Sequence, residues 1–307
     1  MSVIDHSEVR LLYDYVIVYG NDISYTLKSI ERRKSGYVYT MRDHLEALML
    51  SVLSAQRPWV QIQNNIDNLY DIFGGYDPDY MFTQDPRDLE EAVCDISCGN
   101  RRIKKQMQEI RHNIHVLREI ERVYGDCDYL VRKACESVDS VYTTVYALTD
   151  KNSNLKLKGV GEALCLQYMR QLGVDVCKPD VHILRILERL GYFNYEPSAY
   201  EAVAKVREIA TSVGKTSTEL GAALWTFCAT GYSEICTAVP HCEKCPVVCN
   251  YYGKSITHEQ QRIRDLLTWN IYFKTHDKSE ALIMIDELGT SDLRSLCKYI
   301  RNKENIK

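Results

Sequence analysis

The stretch LKGVGEALCLQ, residues 157–167, decides how this chain is read. Two glycines, Gly159 and Gly161, flank Val160, and a helical pattern begins directly after them. A glycine-x-glycine turn that opens a helix lets the backbone approach an anion, because no Cβ intervenes. The unpaired N–H groups of the helix start point at that anion, and the helix dipole favours its charge. Leu157 before the turn and Leu164 after it would pack two helices into a hairpin. The same turn also serves simply to join two helices, so its meaning depends on what surrounds it.

Helical periodicity dominates the surroundings. TMRDHLEALMLSVLSAQ, residues 40–56, opens with a capping box of Thr40 and Asp43 and sets Leu45, Leu48, Met49, Val52 and Leu53 on one stripe. Residues 101–123 repeat the pattern through Ile103, Met107, Ile110, Ile114, Leu117 and Ile120. DVHILRILERLG, residues 180–191, places Ile183, Leu184, Leu187 and Leu190 together and stops at Gly191. TSTELGAALWTFCATG, residues 216–231, offers a second capping box, Thr216 with Glu219. Alternating strand patterns are scarce. The chain therefore reads as all-α, with turns at GGYDPD (74–79), GDCD (125–128) and DKNSN (150–154). Beyond Cys249 it turns polar and then carries two short helical patterns, 278–288 and 291–302, a C-terminal helical extension.

At 307 residues the chain is long enough for two packed domains. Its 45% hydrophobic and 26% charged residues are those of an ordinary soluble protein. No apolar run matches a membrane helix, and MSVIDHSEVR lacks the apolar core of a signal peptide, so an intracellular protein without a membrane partner is expected. The net charge of −4 argues weakly against nucleic acid, but its distribution matters more than the sum. Residues 101–118 hold six Lys or Arg and one Glu, whereas residues 77–95 hold seven acids and one Arg. On charge alone these are two solvated helix faces of opposite sign.

Two further features change the weighting. In CKPDVH, Asp180 follows Pro179 nineteen residues after Gly161 and starts a helix. Alone it would be an N-cap. Downstream, CTAVPHCEKCPVVC places Cys236, Cys242, Cys245 and Cys249 at intervals of five, two and three residues. Four thiols bunched in this way, in a chain with no secretory signal, form a metal-ligand set suited to a [4Fe–4S] cluster or a Zn²⁺ ion, and spacing does not choose between them.

The order of LKGVG, KPDVHILR, LWTFCATGYSEIC and the cysteine loop, with LSAQ at 53–56, resembles the endonuclease III branch of the helix-hairpin-helix DNA glycosylases over roughly residues 38–252. The resemblance implies an all-α fold: a six-helix domain over 38–172, an iron–sulfur cluster domain from 1–37 and 173–252, and the 253–307 extension. It implies double-stranded DNA as partner, with the target base flipped out, and hydrolysis of a base–sugar bond. Asp180 matches the carboxylate that stabilises the oxocarbenium-like transition state. Lys158, Gly159, Val160 and Gly161 match the hairpin that holds a phosphate. Gln56 matches the residue that fills the gap left by the base, and His182 and Arg185 match positions near the DNA backbone. Cys236, Cys242, Cys245 and Cys249 match the [4Fe–4S] ligands, with zinc as the alternative.

This chain departs from the family in several places. Where endonuclease III carries the lysine that forms a Schiff base with the sugar, this chain has Ala163, and Lys156 and Lys158 precede the turn. A monofunctional, hydrolytic enzyme is expected; the alternatives are a glycosylase/lyase using another amine and a non-catalytic DNA-binding protein. The loop between the first two cysteines, TAVPH, has no Lys or Arg. Cys98 stands where the family inserts an apolar wedge, and the helix starting with Arg101, Arg102, Lys104 and Lys105 would compensate by gripping phosphates. Leu50 stands where the adenine-specific relatives have Glu. Trp59 and Tyr168 are base-pocket candidates, and Trp225 is expected in the core.

Overall fold

Helix starts in this chain follow its capping residues. Thr40 accepts a hydrogen bond from the Asp43 N–H while Asp43 accepts from the Thr40 N–H, and Ser198 and Glu201 repeat the arrangement. Asp77 and Asp85 cap helices whose first residue is proline, a position where the missing N–H costs nothing. The computed structural model describes residues 6–18, 23–24, 27–55, 57–229, 231–249 and 251. Among these there is no strand. The α-helices are α1 (Ser7–Val18), α2 (Lys28–Lys34), α3 (Met41–Leu53), α4 (Trp59–Gln63), α5 (Ile66–Ile72), α6 (Pro78–Thr83) and α7 (Pro86–Asp95). They continue with α8 (Ile103–Tyr124), α9 (Tyr129–Ala134), α10 (Val138–Thr149), α11 (Glu162–Gln171), α12 (Val181–Arg189), α13 (Ala199–Ser212) and α14 (Ser217–Cys228).

Residues Met1–Thr237 form one compact unit and Ala238–Lys307 another. Within the first unit two helices organise the packing. α3 is buried on nearly every side and lies against α8 and α11. α14 lies against α1, α12 and α13. The stripe of α8 from Ile103 to Ile120 is buried as its periodicity requires. Of the second unit, the described residues include a single 3-10 turn, Cys242–Lys244. The two helical patterns expected at 278–288 and 291–302 lie outside the described residues.

Two helices differ from expectation for identifiable reasons. Thr216 caps α14 by accepting from the Glu219 N–H, but the Glu219 carboxylate does not return the bond. It pairs instead with Lys215 at 3.0 Å and with the Tyr13 hydroxyl of α1. On α12 the buried residues are Ile183, Ile186, Leu187 and Arg189, while Leu184 and Leu190 stay half-buried. The face is turned toward Arg189 because its guanidinium reaches Cys236 Sγ at 3.1 Å and the Thr237 carbonyl at 2.8 Å.

One buried polar network joins several elements. Arg33 of α2 donates twice to Asp128, at 2.6 and 2.9 Å, and twice to the Leu172 carbonyl, from Nε at 2.8 Å and from Nη2 at 2.5 Å. The other contacts of Asp128 are His44 Nε2 at 3.2 Å and the Tyr39 N–H at 3.2 Å, and His44 Nδ1 bonds the Tyr168 hydroxyl. Asp128 and His44 are fully buried. Burial alone would raise the Asp128 pKa, but the bonds from His44 and Arg33 outweigh it and hold the carboxyl below its usual range.

Candidate active site: a cleft around Asp180

The segment from Gly173 to Asp180 is anchored at both ends. Gly173 has φ +81°, and a Cβ there would lie 2.4 Å from the Ser29 carbonyl oxygen, so only glycine lets the chain pass α2. The N-terminus of α14 fixes the next residues. Thr218 donates from its backbone to Asp175 at 2.9 Å and from its hydroxyl to the Val176 carbonyl at 3.1 Å. A Cβ on Gly221 would sit 2.6 Å from Cys177 Cβ, so this glycine lets α14 approach the segment closely. A tight turn then closes over Pro179, with the Asp180 N–H donating to the Lys178 carbonyl at 2.9 Å.

Asp180 is the N-cap of α12, as an isolated reading of the residue suggests, but capping uses only half of it. Oδ1 accepts from the His182 and Ile183 N–H groups at 3.0 and 3.3 Å. Oδ2 accepts from Trp225 Nε1 at 3.1 Å. Three donors from two helices therefore fix the carboxylate.

It faces a cleft of about 450 Å³. The cleft is lined by Ser54, Arg57, Pro58 and Trp59, by Gln167 and Arg170 of α11, by Lys178, Asp180, Val181, His182 and Ile183, and by Gly221, Ala222, Trp225 and Ala229. An adjoining cavity of about 300 Å³ shares Trp59, Gln167 and Arg170 and is lined further by Asp43, Glu46, Ala47 and Leu50.

The cleft holds one carboxylate and three cationic side chains, Arg57, Arg170 and Lys178. Burial pushes the Lys178 amine below the usual lysine range; Asp180 opposes this and Arg170 adds to it. Burial also lowers the His182 pKa against the pull of Asp180, which favours the neutral ring. His182 Nδ1 and Trp59 Nε1 are buried with no hydrogen-bond partner. Two orphaned polar atoms on residues lining one cleft are what a bound polar ligand would satisfy. In the adjoining cavity Glu46 makes no hydrogen bond or ion pair among the described residues. Burial and the nearby Asp43 push its carboxyl above the usual range.

The hairpin is held on α8. Asn113 accepts from the Lys158 N–H at 2.7 Å and donates to its carbonyl at 3.1 Å, while His112 bonds the Lys156 carbonyl at 3.0 Å. Gly159 has φ +77°, and a Cβ there would lie 2.7 Å from Glu109 Oε2. Gly161 is exposed and caps α11 in extended conformation with no side-chain cap, leaving the first N–H groups of α11 open. Lys158 is exposed, the Val160 side chain is buried, and Lys156 Nζ donates to the Thr149 carbonyl at the end of α10. Arg101, Arg102, Lys104 and Lys105 are all exposed. Lys105 lies 3.8 Å from Glu109, the residue beneath Gly159, so the basic start of α8 adjoins the hairpin.

Several candidates stand elsewhere than expected. Tyr168 is 1% exposed and bonded to His44, because its ring completes the packing of α11 on α3; it lines neither cavity. Cys98 is fully buried against the Gln61 carbonyl and is no wedge. Trp225 is half-buried and lines the cleft instead of the core, because its N–H has a partner only there. Arg185 is half-buried on α12, where its charge acts on Cys236 and His182. Gln56 lies outside the described residues. Arg57, Gln167, Arg170, Lys178 and Glu46 were missed. Lys178 had a signal in its place two residues before Asp180, whereas Glu46 and Gln167 had none, lying within helices of ordinary periodicity.

Of the four clustered cysteines, Cys236 ends the first unit. A hydrogen bond from Cys228 and the charges of Arg189 and Arg185 lower its pKa against the effect of burial, which favours the thiolate a metal requires. Cys242 and Cys245 bracket the 3-10 turn, with the Cys245 N–H donating to the Cys242 carbonyl at 3.2 Å. Among the described residues no three Cys, His, Asp or Glu side chains are gathered as a metal site.

No protein-family model and no curated protein sequence matches this chain. Solved structures do. The 8-oxoguanine glycosylase/lyase of Methanocaldococcus jannaschii, bound to a 15mer DNA containing 8-oxoguanine, matches with TM-score 0.50 and 20% identity, covering 72% of this chain and 97% of that one. A second structure of the M. jannaschii 8-oxoguanine DNA glycosylase gives 0.51 and 21%, covering 74% and 96%. The 8-oxoguanine DNA glycosylase of Thermotoga maritima gives 0.51 and 18%, covering 73% and 95%. At such identities the likeness shows the fold alone: this chain shares the all-helical fold of these 8-oxoguanine glycosylases.

Proposed function

We propose that the protein is a DNA base-excision glycosylase in which Asp180 stabilises positive charge on the sugar. The observation that carries this is a carboxylate fixed by three donors in a cleft whose other charged lining residues, among those described, are all basic. A carboxylate aimed by its surroundings needs no reorganisation when charge develops at C1′, which is where electrostatic catalysis gains most. Arg57 and Arg170 suit the phosphates flanking a flipped nucleotide. The open N–H groups at Gly161 and the basic start of α8 suit the backbone of the duplex. Trp59 offers a face for the base and an N–H to bond it. Neutral His182 offers its unpartnered nitrogen to the sugar or the base. Water attacks C1′ in this step, and the methyl group of Ala163 offers no competing nucleophile. The structural neighbours, glycosylases of 8-oxoguanine by their names, support the reaction class.

The cysteine loop supports the endonuclease III-like branch. Cys236, Cys242, Cys245 and Cys249 would hold a [4Fe–4S] cluster, whose ligation would cross-link the chain. The thiolate character of Cys236 and the turned Cys242–Cys245 pair suit such ligation.

A panel of duplexes, each with a single modified or mismatched base, tests the proposal. Heating in alkali after reaction should cut the strand at one member or more, and Asp180→Asn should abolish that cutting. Absence of alkali-labile sites across oxidised, alkylated and deaminated bases would leave a DNA-binding protein.

A further inference from the structure

Among the described residues lining the cleft Lys178 carries the one amine, and it shares its segment with Asp180. The turn over Pro179 holds the two residues together, and the bonds from α14 to Asp175 and Val176 hold the turn. Its Nζ makes no hydrogen bond or ion pair among the described residues. The other lysines near the hairpin are placed differently. Lys156 is spent on the Thr149 carbonyl, and neither it nor Lys158 lines this cleft. Ala163 lines neither cavity.

We propose that Lys178 supplies the amine that Ala163 cannot, giving the protein a second activity: cleavage of the strand at the abasic site through a Schiff base on Lys178. This rests on the base-excision reading, because an abasic sugar is the product of that step. The depressed basicity of Lys178 supports the proposal, since a buried amine is more often neutral and only the neutral form attacks a carbon.

The chemistry closes with water alone. The neutral Nζ adds to the C1′ aldehyde of the ring-opened sugar. The aldehyde oxygen leaves as water with the two amine protons, and the imine nitrogen takes a proton from solvent. The resulting iminium acidifies C2′, whose proton passes to the Asp180 carboxylate. The C3′–O3′ bond breaks, and the 3′ phosphate leaves with the electron pair. Water then hydrolyses the imine, returning Lys178 as an amine and leaving an unsaturated aldehyde on the cut end.

The experiment uses the full chain and a duplex carrying one preformed abasic site, with sodium borohydride to reduce the imine. The expected result is a covalent protein–DNA adduct whose peptide map places the sugar on Lys178, and strand cutting without alkali when borohydride is omitted. Lys178→Arg keeps the charge but cannot form the imine, so trapping should fall at least tenfold while thermal melting shows the variant folded. No adduct with the wild type, an adduct mapped to another amine, or undiminished trapping with Lys178→Arg would overturn the proposal. Because the probe already carries the aldehyde, the two readings fail separately. A protein that yields alkali-labile sites on lesion duplexes but is never trapped sinks Lys178 alone. One that is trapped through Lys178 but excises no base sinks the glycosylase reading alone.

Discussion

Asp180→Asn is the sharpest perturbation of the cleft, and the structure makes its consequences double. The amide keeps the shape but has one oxygen where the carboxylate has two. With the oxygen turned to cap α12, the NH₂ group meets the Trp225 N–H. With the amide turned over, the NH₂ group meets the His182 and Ile183 N–H groups. Either way a donor faces a donor. Losing a charge-assisted bond and stranding its partner costs about 1–3 kcal/mol of stability. The catalytic loss is separate: removing one electrostatic contact aimed at the transition state costs roughly a hundredfold in rate, about 2.7 kcal/mol. Trp225→Phe deletes the facing donor, so the double variant Asp180→Asn/Trp225→Phe should be less destabilised than the sum of its parts by about 1 kcal/mol. Thermal melting measures that coupling. Single-turnover excision on a productive duplex, read after alkali, measures the rate. Stability should recover in the double variant while the rate stays at least a hundredfold down. Duplex affinity should hold, because the charge removed repels phosphate. A double variant that regains the rate of Trp225→Phe alone would refute the reasoning, for Asp180 would then be a cap whose loss merely misplaces α12.

Four other outcomes follow from the same structure. Asp128→Asn leaves the Arg33 guanidinium without its counter-charge and should cost about 3–5 kcal/mol in a chemical-denaturation titration. Because the folded Asp128 carboxyl is held below its usual range, its contribution is present at neutral pH and is lost as pH falls through the folded value; a variant whose deficit persists unchanged in acid would refute this. Replacing Arg101, Arg102, Lys104 and Lys105 with Gln should weaken duplex binding at every sequence and flatten the salt slope by up to about 3.6, and an unchanged slope would place that face away from DNA. Protein purified without oxygen should be brown with about four irons per chain, whereas stoichiometric zinc without iron would reject the cluster. Gly221→Ala forces a methyl group into Cys177, 2.6 Å away, and should depress base excision and borohydride trapping together, since both need the same segment; loss of only one would show that the segment does not act as a unit.

Much of the fold was legible because it rests on local rules. Capping residues and a 3.6-residue period marked α3, α8 and α14, and buried positions in them followed the apolar stripe. What escaped depends on side chains that reach across the molecule. Glu219 looked like the second half of a capping box, yet Tyr13, 206 residues away in sequence, takes its carboxylate. Arg189 lies outside the apolar stripe read from Ile183, Leu184, Leu187 and Leu190, yet it is buried against Cys236. Tyr168 and Trp225 were assigned opposite places from those they hold, for one reason. Both are amphipathic, and burial of such a ring follows its polar atom. The Tyr168 hydroxyl finds His44 inside; the Trp225 N–H finds Asp180 at the cleft.

The hairpin and Asp180 stand out in the sequence because few residue types fit those positions. A left-handed φ above a neighbouring carboxylate admits glycine, and a helix N-cap that also faces a cleft narrows to a short acid. An amine is subject to no such restriction. A lysine is long and flexible, and its useful position is set by where its stem is anchored, not by its neighbours in sequence. At residue 163 the stem would begin on the first turn of α11, a place that lines neither cavity. At residue 178 it begins on the segment that Gly173, Thr218 and Gly221 hold against the rest of the fold, beside the carboxylate. The anchoring that orients Asp180 therefore orients Lys178 at no extra cost. An alanine at 163 shows only that one route to the sugar is closed. Whether the strand is cut is decided by the segment that carries the acid.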